Sequence, residues 1–457
     1  MQGTTIEDPI HFVGIGGSGM SGLAELAIHG GHKVQGSDAK ASAAVDRLVR
    51  LGALVVAGHD ANALGTARTV VYSSAIPGSN VELVEARRLG LAVLHRSDFL
   101  RHLMEGRQAV TVAGTHGKTT TSAMITHMLD DLGLDPSAAI GGAMQRYHSP
   151  ARSGGGGLFV AEADESDGSF LKYQPFVGVL TNVAFDHMEY FKDQTRLETA
   201  FRSYLRLVDP DGWAIVGWDS ALARQVAEGY AGNRLTYGFV LGSEVRATEY
   251  HCDKGETRFT AIVERDRINC RLAMMGRHNV QNALCCLAVA RALELDCQKA
   301  AASLAHFAGV ERRMTHVHSG QALHVFDDYA HNPGKIAASV ETLREAWPDW
   351  QLHVVFQPHR YTRLETMYDD MLDAMLGADI VYLVPVYSAG ETTLRDFSPT
   401  RLARDLEHRL PVEAVPCESL DEAVQAIRQR LAPNSVVLTV GAGDVHRVAT
   451  QLEESLA

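Results

Sequence analysis

The chain has 457 residues, of which 46% are hydrophobic and 21% are charged, and its formal net charge is −13 at pH 7. These proportions are ordinary for a globular protein, and at roughly 150 residues per domain the length predicts about three domains. The excess of acidic groups argues against a nucleic-acid partner, which needs clustered Lys and Arg. The negative net charge is compatible with anionic small ligands, because these need only a few local cations and helix ends.

The six cysteines are scattered and form no C-x-x-C pair, so the sequence indicates neither a zinc site nor a disulfide framework. The first nine residues are polar and acidic, unlike a signal peptide, and no apolar run is long enough to span a membrane. We therefore expect a cytoplasmic protein of enzyme size with reduced thiols and no membrane partner.

The first predicted element is an apolar strand, Ile10–Val13, followed directly by G-I-G-G-S-G at residues 14–19. This G-x-G-x-x-G spacing opens a helix, as in dinucleotide-binding folds. A second strand begins at Val34 and ends at Asp38, about 20 residues after the glycines, where such folds place a ribose ligand. Further strands are predicted around residues 55–56 and 70–72. The first ~105 residues therefore predict a small doubly wound α/β unit.

The ligand of this first unit is left open by its fingerprint. A UDP-sugar satisfies the same geometry as NAD, since both offer phosphates and a ribose at the start of a helix. The glycines could also serve only tight helix–strand packing. A nicotinamide-dependent dehydrogenase is a further alternative, but it leaves the motifs in the rest of the chain without a purpose.

Residues 110–121 read V-T-V-A-G-T-H-G-K-T-T-T, which is a strand, a glycine loop, a lysine, hydroxyl residues and the start of a helix. That order predicts a cradle in which backbone N–H groups and the helix dipole face phosphates. Lys118 would reach the β- and γ-phosphates, and the Thr119 hydroxyl would bind Mg²⁺. Val112 stands where the full Walker pattern has glycine, so a chance match is the alternative. We predict a nucleotide site here.

Acidic and amide residues follow the next two predicted strands. Residues 158–161 run into E-A-D-E-S-D, and residues 177–180 run into Thr181 and Asn182 before reaching His187. The carboxyl ends of parallel strands meet at one edge of a sheet, so these residues should face the phosphate loop. An acidic run is commonly only a solvated turn, but Mg²⁺ beside a triphosphate uses one or two carboxylates. We predict Glu162 as a metal ligand and His187 as a ligand of a second Mg²⁺.

A further helix is predicted from G-R-H-N-V-Q-N-A at residues 276–283, where the amides could either cap the helix or read an adenine edge. A third α/β domain begins near Phe307, with strands at 323–326, 353–356, 380–384 and 436–440 and helices such as 364–376 and 420–431 between them. After the second of these strands, His359, Arg360 and Arg363 predict an anionic ligand, because Arg binds carboxylate and phosphate bidentately.

Eight stretches occur in order along nearly the whole chain: H-F-V-G-I-G-G-S-G-M-S-G, G-T-H-G-K-T-T-T, E-A-D-E-S-D-G-S-F, T-N-V-x-x-D-H-M, G-R-H-N-V-x-N-A, D-D-Y-A-H-N-P, F-Q-P-H-R-Y-T-R and V-G-A-G-D. Together they resemble the Mur ligase family. The resemblance implies three α/β domains. Residues 1–106 would form an N-terminal Rossmann-like doubly wound sheet that binds a UDP-sugar. Residues 107–308 would form a central P-loop ATPase-like domain that binds ATP, and residues 309–457 a C-terminal Rossmann-like domain for the amino acid and ATP.

The resemblance also implies a reaction. Its N-terminal and F-Q-P-H-R-Y-T-R stretches are most similar to the alanine-adding branch, which joins L-alanine to the carboxylate of UDP-N-acetylmuramate through an acyl phosphate in peptidoglycan precursor synthesis. ATP and Mg²⁺ would be the cofactors, and the protein would be a monomer or a weak homodimer. The alternatives are a murein-recycling ligase that adds a preformed tripeptide, and a nucleotide-binding regulator that has lost catalysis.

Site residues follow from the matching motifs. Those implied in catalysis are Lys118, Glu162, His187, His331 and Arg360. Those implied in ATP binding are Gly114, Thr115, His116, Gly117, Lys118, Thr119, Thr120, Asn279, Arg312 and Asp328. The implied Mg²⁺ ligands are Thr119, Glu162 and His187. Those implied in binding UDP-N-acetylmuramate or L-alanine are Gly16, Gly17, Gly19, Met20, Ser21, Asp38, Ser73, Ser74, Ala75, Tyr329, His359, Arg360 and Arg363.

One motif departs from the family. The usual D-D-Y-G-H-H-P reads D-D-Y-A-H-N-P here, with Ala330 and Asn332 in place of a glycine and the second histidine. The resemblance therefore does not carry over the detailed geometry of the amino-acid pocket. Several Mur ligases have a carbamylated lysine after D-H-M, and we predict none in this chain.

Overall fold

The computed structural model describes residues 6–185, 188–392 and 395–455, so the predicted metal ligand His187 lies outside the described residues. The chain forms two compact units. The first comprises Met1–Glu249, Phe259–Arg271 and Gln281–Gly309, and the second comprises Tyr250–Arg258, Leu272–Val280 and Val310–Ala457. The domain limits predicted after residues 106 and 308 remain predictions.

A five-stranded parallel sheet forms the N-terminal part of the first unit. Its strands are β1 (Ile10–Val13), β2 (Val34–Asp38), β3 (Leu54–Ala57), β4 (Thr69–Tyr72) and β5 (Ala92–His95), and its helices are α1 (Ser18–His29), α2 (Ala43–Arg50), α3 (Val81–Arg88) and α4 (Arg96–Met104). The order β3-β2-β1-β4-β5 reverses direction between β1 and β4. Open parallel sheets bind ligands at the carboxyl ends of strands beside such a reversal. The predicted glycine loop after β1 and Ser73 after β4 both lie there.

A ten-stranded sheet carries the phosphate loop. Its strands are β6 (Gln108–Ala113), β7 (Ser137–Met144), β8 (Ser149–Arg152), β9 (Leu158–Glu162), β10 (Val177–Leu180), β11 (Trp213–Gly217), β12 (Arg234–Gly238), β13 (Val245–Asp253), β14 (Glu256–Val263) and β15 (Asp266–Leu272). The order is β15-β14-β13-β12-β11-β10-β6-β9-β7-β8. Strand β6 pairs in parallel with β10 and β9, so the three carboxyl ends meet as predicted.

The helices that accompany this sheet are α5 (Lys118–Asp131), α6 (Met188–Phe191), α7 (Gln194–Arg206), α8 (Ala221–Ala227), α9 (Arg277–Ala292) and α10 (Cys297–Leu304). Helix α5 is buried over residues 119–129, since it packs against β6, β7, β9 and α10. This burial fixes the helix, and with it the start of the phosphate loop.

A six-stranded sheet forms the core of the second unit. Its strands are β16 (Thr315–Ser319), β17 (Leu323–Asp328), β18 (Gln351–Phe356), β19 (Ile380–Leu383), β20 (Glu413–Pro416) and β21 (Ser435–Val440), in the order β16-β17-β21-β18-β19-β20. All pairs are parallel except β16 with β17. The helices are α11 (Pro333–Ala346), α12 (Tyr361–Thr366), α13 (Tyr368–Asp373), α14 (Pro399–Arg409), α15 (Leu420–Arg430) and α16 (His446–Glu454). The predicted α/β fold is confirmed, with three sheets that are each flanked by helices.

One predicted helix was wrong. The pattern over residues 364–376 predicted a single helix, but the chain forms α12 and α13 with a break at Met367, whose φ of −121° and ψ of 28° leave the helical region. The apolar period continues across this break because both short helices turn Leu364, Met371 and Leu372 into the same core. Among the described residues, no helix combines the length and the apolar character that crossing a membrane requires.

Candidate active site

The phosphate loop occupies residues 114–117, between the end of β6 and the first residue of α5. Gly114 has a φ of +128° and Gly117 a φ of +82°, conformations that residues with a Cβ rarely adopt. A Cβ added at Gly114 would clash with the Thr181 hydroxyl oxygen. Both glycines are therefore needed for the backbone path, and the short loop variant forms the predicted strand–loop–helix.

The end of β10 holds this loop in place. The His116 N–H donates to the side-chain oxygen of Asn182 over 2.9 Å, and the Thr181 hydroxyl donates to the His116 carbonyl over 2.7 Å. The Thr115 N–H donates to the Asn182 carbonyl over 3.0 Å. The sequence indicated that Thr181 and Asn182 face the loop, and the structure gives them the role of shaping it.

Lys118 is the first residue of α5, and its ammonium group is held on three sides. It donates to the Gly114 carbonyl over 2.7 Å and to Glu165 Oε1 over 2.8 Å, and it lies 2.7 Å from Glu165 Oε2 in the same ion pair. Burial alone would lower the pKa of Lys118, but Glu165, Glu162 and Asp164 outweigh it and raise that pKa above the ordinary value. The lysine thus presents a permanent positive charge at the loop. Its partner Glu165 was not assigned from the sequence.

Thr119 and Glu162, two of the predicted metal ligands, lie in contact. The Thr119 hydroxyl donates to Glu162 Oε2 over 2.9 Å, and the Gly141 N–H donates to the same oxygen over 2.7 Å. Adjacent oxygens around octahedral Mg²⁺ lie about 3 Å apart, since Mg–O distances are about 2.1 Å. The pair therefore fits two neighbouring positions around Mg²⁺. In the described part of the chain, no group of three His, Cys, Asp or Glu side chains has a metal-binding arrangement.

Two of the side-chain amides of α9, Asn279 and Asn282, have different surroundings. Asn282 accepts a hydrogen bond from the Thr121 hydroxyl over 3.0 Å, and its side-chain oxygen would lie 3.0 Å from a Cβ added at Gly117. Asn282 therefore braces the start of α5. Asn279 lies in the second unit, where its side-chain N–H donates to the Met275 carbonyl over 2.7 Å. This contact agrees with a role at the start of the helix, and the adenine role of Asn279 remains a prediction.

The N-terminal glycine loop is closed by Asp38. Its Oδ2 accepts from the Gly16 N–H over 2.8 Å, and its Oδ1 accepts from the Lys40 N–H. Gly17 is exposed and Gly19 half-buried at the start of α1, and the Gly17 N–H donates to the Gly14 carbonyl over 3.1 Å. Met20 and Ser21 are buried in α1, with the Met20 side chain in the core. Their N–H groups both donate to the Gly17 carbonyl, and a contact of these two residues with a substrate remains a prediction.

Arg96 and His95, which the sequence reasoning missed, lie near the acidic segment that follows β9. Arg96, the first residue of α4, donates to Asp164 over 2.7 Å. The predicted substrate residue Ser74 donates to Asp167 over 2.5 Å, and its oxygen lies 3.0 Å from His95 Nε2. Ser73 is half-buried and Ala75 exposed beside it. Its position as a basic residue directly after β5, at the ligand-binding edge of the sheet, is a signal that could have identified Arg96.

In the second unit, Arg312 is fixed at the ends of β17 and β21. It donates to Asp327 over 3.2 Å and to the carbonyls of Gly443 and Gly441 over 3.1 Å and 2.7 Å. Its guanidinium lies 5.0 Å from the Tyr329 ring centroid, a cation–π distance. Asp328 is buried and accepts from the Ser339 hydroxyl and the Ala330 N–H, and burial raises its pKa above the ordinary value.

A cluster of histidines adjoins these residues. The ring centroids of His331 and His359 are 6.2 Å apart, and His359 stacks on Tyr387 at 5.6 Å. Arg363 Nη1 lies 3.0 Å from His359 Nδ1. Burial, reinforced by neighbouring cations, lowers the pKa of His331 to about 3 and that of His359 to about 4. Both rings are neutral near pH 7. Arg360 is exposed, 3.9 Å from Glu391.

The departures from the family motif have structural roles here. Asn332 is the N-cap of α11, where its side-chain oxygen accepts from the Lys335 N–H over 3.0 Å. Asn is among the best N-cap residues. Ala330 is 1% exposed, so its methyl group is buried within the protein. Both substitutions are therefore accommodated locally.

Comparison with known families agrees with this geometry. The chain matches the catalytic domain of the Mur ligase family over residues 9–108, the Mur ligase middle domain over residues 112–290, and the glutamate ligase domain of Mur ligases over residues 312–443. The chain belongs to the Mur ligase family. The N-terminal glycine loop, the phosphate loop and the histidine cluster of this Mur ligase each lie within one of the three matched regions.

Individual Mur ligases are similar over the full length. The UDP-N-acetylmuramate–L-alanine ligase of Syntrophotalea carbinolica is 37% identical over 454 residues, which cover 98% of each chain. The solved structure of UDP-N-acetylmuramate-alanine ligase from Thermotoga maritima is 29% identical, with a TM-score of 0.85 and 98% of each chain covered. A murein peptide ligase from Psychrobacter arcticus is 24% identical, with a TM-score of 0.72 over 98% of each chain, and shows the shared fold.

Proposed function

We propose that this Mur ligase uses ATP to join L-alanine to the carboxylate of UDP-N-acetylmuramate in peptidoglycan precursor synthesis. The observation that carries the proposal is the full-length similarity to alanine ligases, at 37% identity to a curated relative and a TM-score of 0.85 to a solved structure. The phosphate loop with Lys118, Thr119 and Glu162 supports the use of ATP.

The first step transfers the γ-phosphoryl group of ATP. A carboxylate oxygen of the muramic acid bonds to the γ-phosphorus, the bond from that phosphorus to the β,γ-bridging oxygen breaks, and ADP leaves an acyl phosphate behind. Lys118 supplies fixed positive charge where the phosphates gather, and the N-terminus of α5 lies at the same place. Phosphoryl transfer depends mainly on such positioning and charge neutralisation.

Thr119 and Glu162 would hold Mg²⁺, which when bound neutralises charge on the β- and γ-phosphate oxygens. Their oxygens lie 2.9 Å apart, and Gly141 fixes the orientation of the Glu162 carboxylate. A role of His187 as a ligand of a second Mg²⁺ remains part of the proposal. Near ATP, Asn279, Arg312 and Asp328 are proposed to bind the nucleotide.

The second step forms the amide. The amine of L-alanine bonds to the acyl carbon and a tetrahedral intermediate forms. The carbon–oxygen bond to phosphate then breaks, and the proton of the former amine passes to the departing phosphate. His331 Nδ1 lies 2.9 Å from the Tyr329 carbonyl, so Nδ1 carries the proton and Nε2 accepts hydrogen bonds. With its pKa lowered to about 3, His331 is a weak base, and we assign it the orientation of the amine. Arg360 and Arg363 would bind the alanine carboxylate.

The nucleotide sugar is assigned to the N-terminal sheet. The start of α1 beside Gly19 suits its diphosphate, because the N-terminus of a helix favours an anion, and the segment Ser73 to Ala75 lies at the neighbouring strand end. Asp38 already accepts from the Gly16 N–H, so it shapes the loop besides any contact with the ribose.

Phosphate release from Mg-ATP tests the proposal. The purified protein is supplied with UDP-N-acetylmuramate and, separately, L-alanine, L-serine, glycine or a preformed tripeptide, with mass detection of the nucleotide product. We expect release that requires both the sugar and L-alanine and yields UDP-N-acetylmuramoyl-alanine. Dependence on the tripeptide would reassign the protein to murein recycling. Nucleotide binding without any amide product would overturn the ligase assignment.

The assembly and the location of the protein remain predictions. We expect a monomer or a weak homodimer in the cytoplasm. Sedimentation equilibrium between about 1 and 100 μM, a range in which weak dimers dissociate, measures the first. Fractionation of cells that express the protein measures the second.

A further inference from the structure

We propose that Arg96 serves two anionic ligands at once: it contributes to the binding site of the sugar nucleotide, and it neutralises Asp164, which would otherwise repel the phosphates of ATP. This inference rests on the proposed function. It concerns a residue after β5 that belongs to neither the glycine loop nor the phosphate loop.

Arg96 lies between the N-terminal loop and the acidic segment. One of its terminal nitrogens donates to Asp164 Oδ2 over 2.7 Å, and the same nitrogen lies 3.9 Å from Asp167. The other terminal nitrogen lies 3.5 Å from the position that a Cβ on Gly19 would occupy. The side chain is 24% exposed, so its planar fork is held between protein groups yet open to a ligand. An anion at the start of α1 would therefore meet this second nitrogen.

The acidic segment that Arg96 contacts is a rigid turn. The Ser166 N–H donates to Asp164 Oδ1, and the Ser169 N–H donates to Asp167 Oδ1. Two backbone bonds, from Phe170 to Asp164 and from Gly168 to Glu165, close the turn. The position of the Asp164 carboxylate is thus fixed by the backbone, and removing Arg96 would leave its charge in place.

This charge lies close enough to the phosphate loop to matter. Glu165, the next residue, is 1% exposed and pairs with the Lys118 ammonium over 2.7 Å. The Asp164 carboxylate pairs with the Arg96 guanidinium over 2.7 Å, so the two opposite charges offset each other beside the residue that holds Lys118. Without Arg96, the Asp164 carboxylate would draw on Lys118 and oppose phosphates there, because charges interact strongly where water is scarce.

Two substitutions separate the two roles. The probes are UDP-N-acetylmuramate and a non-hydrolysable ATP analogue with Mg²⁺, each titrated by calorimetry into the full-length protein. Arg96→Gln should weaken both ligands about tenfold, in the range typical of a lost charge-assisted contact. Adding Asp164→Asn should restore the ATP analogue to within about threefold of the wild type, since the opposing charge is gone, but should not restore the sugar nucleotide.

A second ion pair that involves α4 provides a matched control. Lys172 pairs with Asp98 of α4 over 2.9 Å and is 39% exposed, so Lys172→Gln removes another ion pair between α4 and the segment after β9. We expect this variant to bind both ligands like the wild type. Arg96→Lys keeps the charge but not the fork, so it should keep the ATP analogue and weaken the sugar nucleotide.

Several outcomes would overturn the inference. Arg96→Gln would overturn it by binding both ligands as the wild type does. The double variant would overturn it by failing to recover affinity for the ATP analogue, or by recovering affinity for both ligands. Lys172→Gln would overturn it by losing as much affinity as Arg96→Gln. If Arg96→Gln does not fold, as judged by thermal melting, Arg96→Lys decides, and unchanged sugar binding would count against us. Failure of the proposed function is distinguishable, because wild-type protein would then give no amide product while the charge rescue of the ATP analogue is still measured.

Discussion

The two units of this Mur ligase present polar groups to ligands in different ways. In the first unit the side chains around the phosphate loop are charged and paired: Lys118 with Glu165, and Arg96 with Asp164. In the second unit the histidines around the predicted amino-acid pocket are kept neutral by burial. Phosphates need fixed charge, whereas an incoming amine needs hydrogen-bond acceptors that are not already protonated. The contrast suits the two halves of an amide ligation.

The largest expected effect comes from removing the fixed charge. Lys118→Met should lower kcat by about 100- to 1,000-fold, as for the loss of one preorganised donor to a developing anion. Phosphate release measures it, with Lys172→Met as the exposed control that should retain activity. A loss below threefold would contradict the role assigned to charge in the first unit.

Next is the metal pair. Glu162→Gln should raise the Mg²⁺ concentration for half-maximal activity by about tenfold or more, because the amide keeps the shape but loses the charge that favours a hard cation. Titration of activity with Mg²⁺ after chelation measures this change. Glu85→Gln, at an exposed Glu85–Arg88 pair, is the control and should leave the titration unchanged.

The backbone of the phosphate loop gives a smaller effect, on stability. Gly114→Ala should lower the free energy of unfolding by about 1–3 kcal/mol or more, since the new Cβ combines an unfavourable φ with a clash against Thr181. Gly90→Ala is the matched control: Gly90 also has a positive φ, +70°, but nothing lies within 4 Å of an added Cβ. Urea unfolding compares them, and equal losses would show that the clash contributes nothing.

Acid should affect the second unit first. Burial lowers the pKa to about 4 for His278 and His353, and burial aided by neighbouring histidines does the same for His316. A histidine whose folded pKa lies below its unfolded value of about 6.5 contributes stability above pH 6.5, which is lost as the pH falls toward the folded value.

Hydrogen exchange at pH values between 7 and 4, corrected for intrinsic rates, measures this loss separately in each unit. The second unit should lose protection between about pH 6.5 and 4, where unfolded histidines take up protons. The first unit also has His95 and His127 with pKa values lowered mainly by burial, so its change should be smaller but not zero. Equal losses of protection in the two units would contradict the expected difference in their sensitivity to acid.

The smallest effect concerns the cap of α11. Asn332→Ala should lower stability by about 1 kcal/mol, the usual cost of losing an N-cap, and should raise KM for L-alanine because His331 precedes it. Ser398→Ala, at the N-cap of α14, should cost similar stability without changing KM. Thermal melting and steady-state kinetics distinguish the two variants. An unchanged KM in Asn332→Ala would show that the N-cap of α11 does not influence the binding of L-alanine.

The sequence predicted some residue placements well and missed others. Thr181 and Asn182 were expected near the phosphate loop because parallel strand ends meet, and they hold it. The acidic run was recognised, but only Glu162 was singled out, because proximity to a strand says nothing about which acid meets Lys118. The helix over residues 364–376 kept its apolar period while breaking at Met367, so periodicity alone did not reveal the break.

The sequence by itself determined the local parts of this protein: the glycine loop after β1, the phosphate loop after β6 and the alternation of strands and helices. Each depends on residues within about a dozen positions, whose backbone preferences act locally. Only the tertiary structure decided that Asn282 meets Thr121, 161 residues away, and that Arg96 meets Asp164, 68 residues away. Such pairs depend on the order of strands in the sheets and on how the helices pack, which no local pattern encodes.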